Sequence, residues 1–135
     1  MQSCPYDSTK IKIPTCLVAG TGITDAKFIC PIDTSLKPNF ANIKNDVYMA
    51  RMKGVEHAGS FEATSPYMLA WFDYQLYGKA FASKAFTGAK PELKVNPDWQ
   101  DFKVKLTKKV AVIKKAKGRK KALSVSWKKV NTASG

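Results

Sequence analysis

The sequence predicts an α/β fold, in which part of a parallel sheet with flanking helices precedes a short β-hairpin segment. Apolar runs of strand length at 15–19 and 47–52 alternate with helical periodicities at 31–43 and 65–77. This strand–helix–strand–helix order is typical of parallel sheets. The end of the chain differs, because β-type runs at 110–113 and 123–127 have no helical pattern between them.

The two strands of the predicted sheet are apolar runs with little alternation. Thr15–Ala19 and Val47–Met52 both have this pattern, which suits strands that are buried on both faces. Gly54 breaks the second strand, and the chain's only histidine, His57, follows in a predicted loop. Glu56, beside the histidine, is interpreted as an exposed loop carboxylate.

The helices are predicted from apolar spacing and from proline and glycine positions. Four apolar residues in 31–43 are separated by four, four and three positions, and Pro38 requires a late start or a kink. A broad apolar face from Ser65 predicts a helix with Pro66 in its first turn and Gly78 at its end. A second short helix is predicted over 79–86.

The predicted boundaries lie at 90 and 109. Residues 1–90 contain the sheet, 91–109 form a linker with two prolines, and 110–135 form the β segment. Two strands cannot form a stable parallel sheet alone, and the sequence offers no further parallel neighbours. The first region is therefore interpreted as the second half of a domain.

The net charge of +13 is concentrated at the end of the chain. Up to Phe102 there are 11 basic and 10 acidic residues, whereas 12 basic residues and no acid follow. Many of these basic residues fall in a turn predicted between the two late β runs. They are Lys114, Lys115, Lys117, Arg119, Lys120 and Lys121. A solvated face is favoured, with cell-wall or polyanion contact as the alternative and no specific nucleic-acid readout.

The sequence predicts no membrane span, metal or cofactor. No apolar run approaches the roughly 20 residues that cross a bilayer, and no signal peptide pattern follows Met1. Cys4, Cys16 and Cys30 have no metal-ligand spacing. The Gly20-Thr-Gly22 motif lacks the third glycine and the closely following helix of a dinucleotide-binding loop.

His57 is the residue best placed for catalysis. Ligands in open α/β sheets bind beyond the carboxyl ends of the strands, and the predicted loop places an imidazole there. We interpret His57 as a general base. A solvated or structural histidine is the alternative, because titratable loop residues are only weakly enriched at functional sites.

The segments Ile13-Pro-Thr-Cys-Leu-Val-Ala-Gly-Thr-Gly22 and Met52-Lys-Gly-Val-Glu-His57 resemble the C-terminal part of α/β-hydrolases. The resemblance covers residues 9–88 and is nearest to secreted esterases of the dienelactone hydrolase, cutinase-like and acetylxylan esterase type. The segment Ser65-Pro-Tyr-Met-Leu-Ala-Trp-Phe-Asp-Tyr-Gln-Leu76 is similar to the helix that follows the family's histidine. The resemblance implies the C-terminal half of an α/β-hydrolase sheet in a secreted or cell-surface esterase.

The resemblance also implies catalytic roles. His57 is the triad base and Asp25 the triad acid, with Asp33, just beyond Pro31, as the alternative acid. An Asx turn or a helix cap is the competing interpretation of Asp25. The family's G-x-S-x-G nucleophile elbow is absent from the sequence, so the nucleophile and oxyanion hole are expected before Met1. The expected function is part of a serine esterase, inactive alone, acting on an ester substrate.

The end of the chain resembles a different family. Residues 110–135, with Leu123-Ser-Val-Ser-Trp127, look like the first two strands of a fibronectin type III-like repeat. Such repeats space or anchor the catalytic domains of extracellular enzymes. The second hypothesis is therefore a non-catalytic binding or anchoring module that acts through its basic end.

Overall fold

The computed structural model describes residues 7–107, 113–119 and 122–127. The chain forms two compact units, 1–105 and 106–135. The first unit contains a three-stranded sheet with helices, and the second contains a two-stranded sheet. Within the described ranges, no helix combines the length and the apolar character that crossing a membrane requires.

The sheet of the first unit is mixed. Strand β1 (Thr15–Gly20) is parallel to β2 (Val47–Met52), whereas β3 (Trp99–Lys105) pairs with β2 in antiparallel orientation. The predicted half of a parallel α/β-hydrolase sheet is therefore wrong. The second neighbour of β2 comes from the segment 91–109 that the sequence predicts as a linker.

A β-bulge explains why the sequence does not predict β3 as a strand. The register shifts between the pairs Met49–Lys103 and Arg51–Gln100. Asp101, which lies in this interval of β3, has a positive φ of 58°. The guanidinium of Arg51 binds the carboxylate of Asp101 at 2.8 Å. The extra residue puts Trp99 and Phe102, three positions apart, into the same apolar cluster. The strand therefore lacks strict alternation in its sequence.

The central strand β2 is buried on both faces, as its sequence predicts. Tyr48 and Ala50 contact one apolar cluster, and Met49 contacts another. The first cluster lies under the aromatic side chains of the long helix, with Trp71 at 5.3 Å from Tyr48 between ring centroids. The sheet therefore separates two apolar layers.

Strand β1 lies at the edge of this sheet and is only half-buried. Among the described residues, no strand pairs with its outer edge. An apolar groove runs along this edge, lined in part by Ile13, Val18, Met68 and Phe72. The prediction that β1 is buried on both faces is confirmed only in part: Cys16 packs against one apolar cluster and Leu17 against the other, but Val18 is 37% exposed.

The long helix α2 (His57–Tyr77) begins about two turns earlier than the sequence predicts. Pro66 lies inside the helix rather than in its first turn. Gly78, with a φ of 63°, ends the helix in the left-handed conformation that glycine favours. His57 is therefore the first residue of a helix and not a residue of a free loop.

The remaining helices are short. The predicted helix at 31–43 consists of a wide π-type turn, Ile32–Leu36, that continues into α1 (Lys37–Asn42). Pro38 is the second residue of α1 and directly follows the change from the π-type turn to the α-helix. The other short elements are a π-type turn at Asp25–Ile29, α3 (Ala80–Ser83), α4 (Glu92–Val95) and a 3₁₀ turn at Ser8–Lys10.

The second unit contains an antiparallel hairpin of β4 (Ile113–Arg119) and β5 (Ala122–Trp127). The sequence predicts a turn at 114–121, but most of this segment is strand β4. Three of its lysines therefore lie on a strand rather than in a turn. Most of the β run predicted at 110–113 lies outside the described residues, as do Lys120 and Lys121.

Candidate active site

Two loops meet at the carboxyl ends of β1 and β2. Because these strands are parallel neighbours with Gly20 opposite Met52, the chain leaves both strands at the same end of the sheet. We name residues 21–24 the acid loop and residues 53–56 the base loop. The acid loop leads to Asp25, and the base loop leads to His57.

Hydrogen bonds join the two loops directly. The N–H of Thr21 donates to the carbonyl of Met52 at 3.0 Å, and the N–H of Gly22 donates to the carbonyl of Val55 at 2.8 Å. In the opposite direction, the N–H of Gly54 donates to Oγ1 of Thr21 at 2.8 Å. The two loops therefore form one hydrogen-bonded unit.

The glycines of the Gly20-Thr-Gly22 motif permit this close approach. A Cβ on Gly20 would lie 1.9 Å from the carbonyl oxygen of Val55, and a Cβ on Gly22 would lie 2.3 Å from Cδ of Glu56. Both distances are far shorter than a van der Waals contact. The motif therefore allows the loops to pack against each other.

Asp25 lies beneath these loops with only 1% of its surface exposed. Its Oδ2 accepts from the N–H of Gly20 at 2.7 Å and from the hydroxyl of Ser60 at 3.2 Å. Its Oδ1 lies 2.7 Å from Nδ1 of His57. Three donors therefore satisfy a carboxylate that would otherwise be costly to bury.

His57 contacts this buried acid with one ring nitrogen while its side chain remains 50% exposed. A carboxylate accepts hydrogen bonds but cannot donate them, so Nδ1 of His57 carries the shared proton. In the neutral ring, Nε2 then has the free lone pair. This tautomer is the one that a general base requires.

The structure distinguishes the two candidate acids by their contacts. Asp33 is 75% exposed and binds the ammonium of Lys37 at 2.6 Å. The hydrogen bond and charge of Lys37 hold the pKa of Asp33 below its ordinary value. The structure therefore brings His57 together with Asp25, and Asp33 lies in a surface ion pair.

Ser60 lies beside the pair but contacts the acid rather than the base. Its hydroxyl is shared between Oδ2 of Asp25 and the carbonyl oxygen of Glu56, at 3.2 and 3.1 Å. A serine nucleophile would instead be hydrogen-bonded to the base. Ser60 therefore supports Asp25 and does not complete a triad.

Glu56 is exposed at the end of a loop, as the sequence predicts, but it also makes contacts that sequence reasoning missed. Its carboxylate accepts from the N–H groups of Ile23 at 2.8 Å and Thr24 at 3.1 Å. These backbone hydrogen bonds hold the pKa of Glu56 below its ordinary value. Because the partners are 33 and 32 positions away, no local sequence pattern indicates them.

Neither the Cys16 thiol nor a metal-ligating cluster extends this site in the part of the chain that the structure describes. Burial raises the pKa of the Cys16 thiol to about 12, so the thiolate needed for nucleophilic attack is disfavoured near neutrality. In residues 7–107, 113–119 and 122–127, no group of three or more histidine, cysteine, aspartate or glutamate side chains is arranged to hold a metal ion.

No protein family, curated protein or solved structure matches this chain. The resemblance to α/β-hydrolases and to fibronectin type III-like repeats therefore stays a prediction. The geometry around Asp25 and His57 is therefore the basis for a proposed function.

Proposed function

We propose that this chain provides the acid–base pair of a serine-type ester hydrolase. Asp25 would orient His57, and His57 would accept a proton from a serine outside the described residues. One observation carries the proposal: a buried carboxylate lies 2.7 Å from Nδ1 of a half-exposed imidazole. This arrangement forms two of the three members of the constellation used for acyl transfer.

Each residue has a defined task in the proposed reaction. Nε2 of His57 removes the serine proton as the serine oxygen attacks the ester carbonyl carbon. The imidazolium then donates this proton to the departing alcohol as the acyl–oxygen bond breaks. A water molecule repeats the sequence and releases the carboxylic acid. Asp25 remains a carboxylate throughout and stabilises the imidazolium.

The burial of Asp25 favours an acid–base pair over an ordinary surface ion pair. Asp25 is enclosed and receives three hydrogen bonds, whereas the histidine ring extends from it to solvent. An incoming hydroxyl group therefore has access to the ring. The proposal does not require a parallel hydrolase sheet, since the two loops are positioned by β1 and β2 alone.

The test uses the natural polypeptide expressed with the coding sequence that flanks this chain. The product is treated with a fluorophosphonate, which reacts with activated serines, and is assayed for hydrolysis of p-nitrophenyl acetate. We expect one labelled serine and measurable hydrolysis, and we expect His57→Ala to abolish both. The matched control, Asp33→Asn, should leave both unchanged. Labelling and hydrolysis that survive His57→Ala, or the absence of a reactive serine, would overturn the proposal.

A second function is favoured for the unit 106–135. Lys114, Lys115 and Lys117 lie exposed on β4, and the facing strand β5 carries no acidic residue. An uncompensated basic strand attracts polyanions through non-specific, salt-dependent contacts. We propose weak polyanion binding by this hairpin, consistent with an anchoring role.

Heparin serves as the polyanion probe for this second function. Replacing the three hairpin lysines with glutamine should weaken retention and reduce its salt dependence. The matched control replaces three exposed lysines of the first unit, Lys12, Lys27 and Lys90, with glutamine. Equal weakening by both triple variants would show that net charge alone determines binding, and the assignment to the hairpin would fail.

A further inference from the structure

We propose that Glu56 is a positioning residue that holds the acid loop in register with the base. The inference rests on the proposed acid–base function and adds a third side chain to it. Glu56 touches neither the reacting atoms nor the carboxylate of Asp25 directly. It acts by fixing the backbone that immediately precedes Asp25.

The local geometry of Glu56 is unusual for a residue at the start of a helix. Glu56 is the N-cap of α2, with an extended backbone at φ −82° and ψ 159°. An N-cap side chain ordinarily accepts from the N–H groups of its own helix. That of Glu56 makes no such bond and instead accepts from Ile23 and Thr24.

These two N–H groups lie at the start of the helical turn that carries the acid. The first N–H groups of a helical turn have no partners within it, so an external acceptor is needed. Glu56 supplies that acceptor with both carboxylate oxygens. Thr24 directly precedes Asp25, and Glu56 directly precedes His57. Two consecutive residues of one segment therefore contact consecutive residues of the other.

The space around the carboxylate is a second, independent observation. A Cβ on Gly22 would lie 2.6 Å from Oε2 of Glu56 and 2.7 Å from its Cα. The acid loop therefore has a glycine where the glutamate side chain crosses it. A chance surface contact would not require this fit between a backbone and a side chain.

Removing the Glu56 carboxylate should leave the acid loop attached through the hydrogen bonds of Thr21 and Gly22 only. The N–H groups of Ile23 and Thr24 would turn to water, and the start of the turn would loosen. Asp25 would then move relative to His57, and the shared hydrogen bond would weaken. The histidine tautomer reports this directly, because a free imidazole is not restricted to the Nδ1–H form.

The test is nitrogen-15 NMR of the full chain, in which the single histidine makes the imidazole signals unambiguous. The wild-type ring should be in the Nδ1–H tautomer, with a strongly deshielded Nδ1 proton. Glu56→Ala should reduce the population of this tautomer and broaden or remove the proton signal. Glu56→Gln keeps one oxygen acceptor and should have an intermediate effect. Glu62→Ala, an exposed change on the same helix, is the matched control and should have no effect.

The outcomes separate this inference from the proposed function. A wild-type ring without the Nδ1–H tautomer would overturn the acid–base function itself. A wild-type ring in that tautomer, unchanged by Glu56→Ala, would overturn only the positioning role. If Glu56→Ala fails to fold, Glu56→Gln decides the matter, since a tautomer identical to wild type would overturn the role.

Discussion

Two aspartates of this protein contact basic side chains at nearly the same distance in very different settings. Asp25 lies 2.7 Å from Nδ1 of His57, and Asp33 lies 2.6 Å from Nζ of Lys37. Both aspartates belong to wide π-type turns at Asp25–Ile29 and Ile32–Leu36. The first carboxylate is 1% exposed, whereas the second is 75% exposed.

The comparison shows that contact distance alone does not indicate a catalytic role. The Asp33–Lys37 pair links residues four positions apart on one helical segment, a common arrangement at protein surfaces. The Asp25–His57 pair spans 32 positions, and two further donors, the N–H of Gly20 and the hydroxyl of Ser60, hold the carboxylate in place. Burial and a prearranged set of donors distinguish the candidate catalytic pair.

The largest expected effect concerns turnover by the proposed hydrolase. Asp25→Asn keeps the shape of the side chain but favours the wrong histidine tautomer, and the corresponding change in a serine protease lowers kcat about 10⁴-fold. We expect a comparable loss here, measured with p-nitrophenyl acetate, and no loss for Asp33→Asn. The double variant of Asp25→Asn and His57→Ala should be barely worse than either alone.

Two outcomes would contradict this prediction. If Asp33→Asn is the damaging change, the exposed aspartate is the acid and the observed pairing does not persist during turnover. If Asp25→Asn and Asp33→Asn both retain full activity, neither aspartate orients His57. In the second case, only the assignment of the base would remain.

The scaffold of the buried pair can be tested separately from its chemistry. Gly20→Ala places a Cβ at 1.9 Å from the carbonyl oxygen of Val55, so the two loops must separate. We expect destabilisation of about 1–3 kcal/mol, typical of overpacking, measured by urea denaturation. Gly59→Ala is the matched control, because its Cβ has no neighbour closer than 4.0 Å and the site is helical. It should stabilise the protein by about 0.5–1 kcal/mol. Equal effects of the two changes would rule out tight loop packing.

Acid should weaken the contacts of Glu56 and Asp33 in the same direction. Both carboxylates have a pKa below the ordinary value in the folded protein, because donors favour the charged form. Their contribution to stability is therefore present above the ordinary carboxylate pKa and is lost as pH falls through the lowered pKa. Glu56→Gln should reduce the loss of thermal stability on acidification, and Asp33→Asn should do so as well. A steeper acid loss in either variant would contradict this sign.

The smallest expected effect concerns the surface pair itself. A double-mutant cycle with Asp33→Asn and Lys37→Met should give only a small coupling free energy, because solvent screens an exposed ion pair. Added salt should reduce this coupling, since both side chains are largely exposed. A coupling that is much larger or insensitive to salt would show that the surface pair is more than a solvated contact.

Patterns within single elements predicted much of the site. The apolar runs located β1 and β2, and the predicted order of strands and loops placed His57 beyond the carboxyl end of β2. Asp25 was predicted as its partner only from the resemblance to α/β-hydrolases. The structure brings these two residues together, although their catalytic roles stay predictions. Their meeting depends on parallel pairing of β1 with β2, which is the part of the predicted sheet that the structure retains.

The rest depended on contacts that leave no regular pattern in the sequence. The bulge at Asp101 removes the alternation that would reveal β3. Pro66 suggests a helix start, since an interior proline costs about 3 kcal/mol, yet α2 continues through it and packs aromatic side chains against the sheet. The bonds of Glu56 join residues more than thirty positions apart and follow only from the fold.

Strand β1 is an edge strand, and such strands can recruit a second copy of the chain as concentration rises. Among the described residues, no strand pairs with its outer edge, and Thr15–Gly20 contains neither a charge nor a proline. Those are the devices that normally prevent an edge strand from recruiting another chain. Refolding yield should therefore fall as protein concentration rises, and Val18→Lys, at a position that is 37% exposed, should restore it. The strand that leads into the acid loop is therefore also the place where we expect self-association to begin as concentration rises.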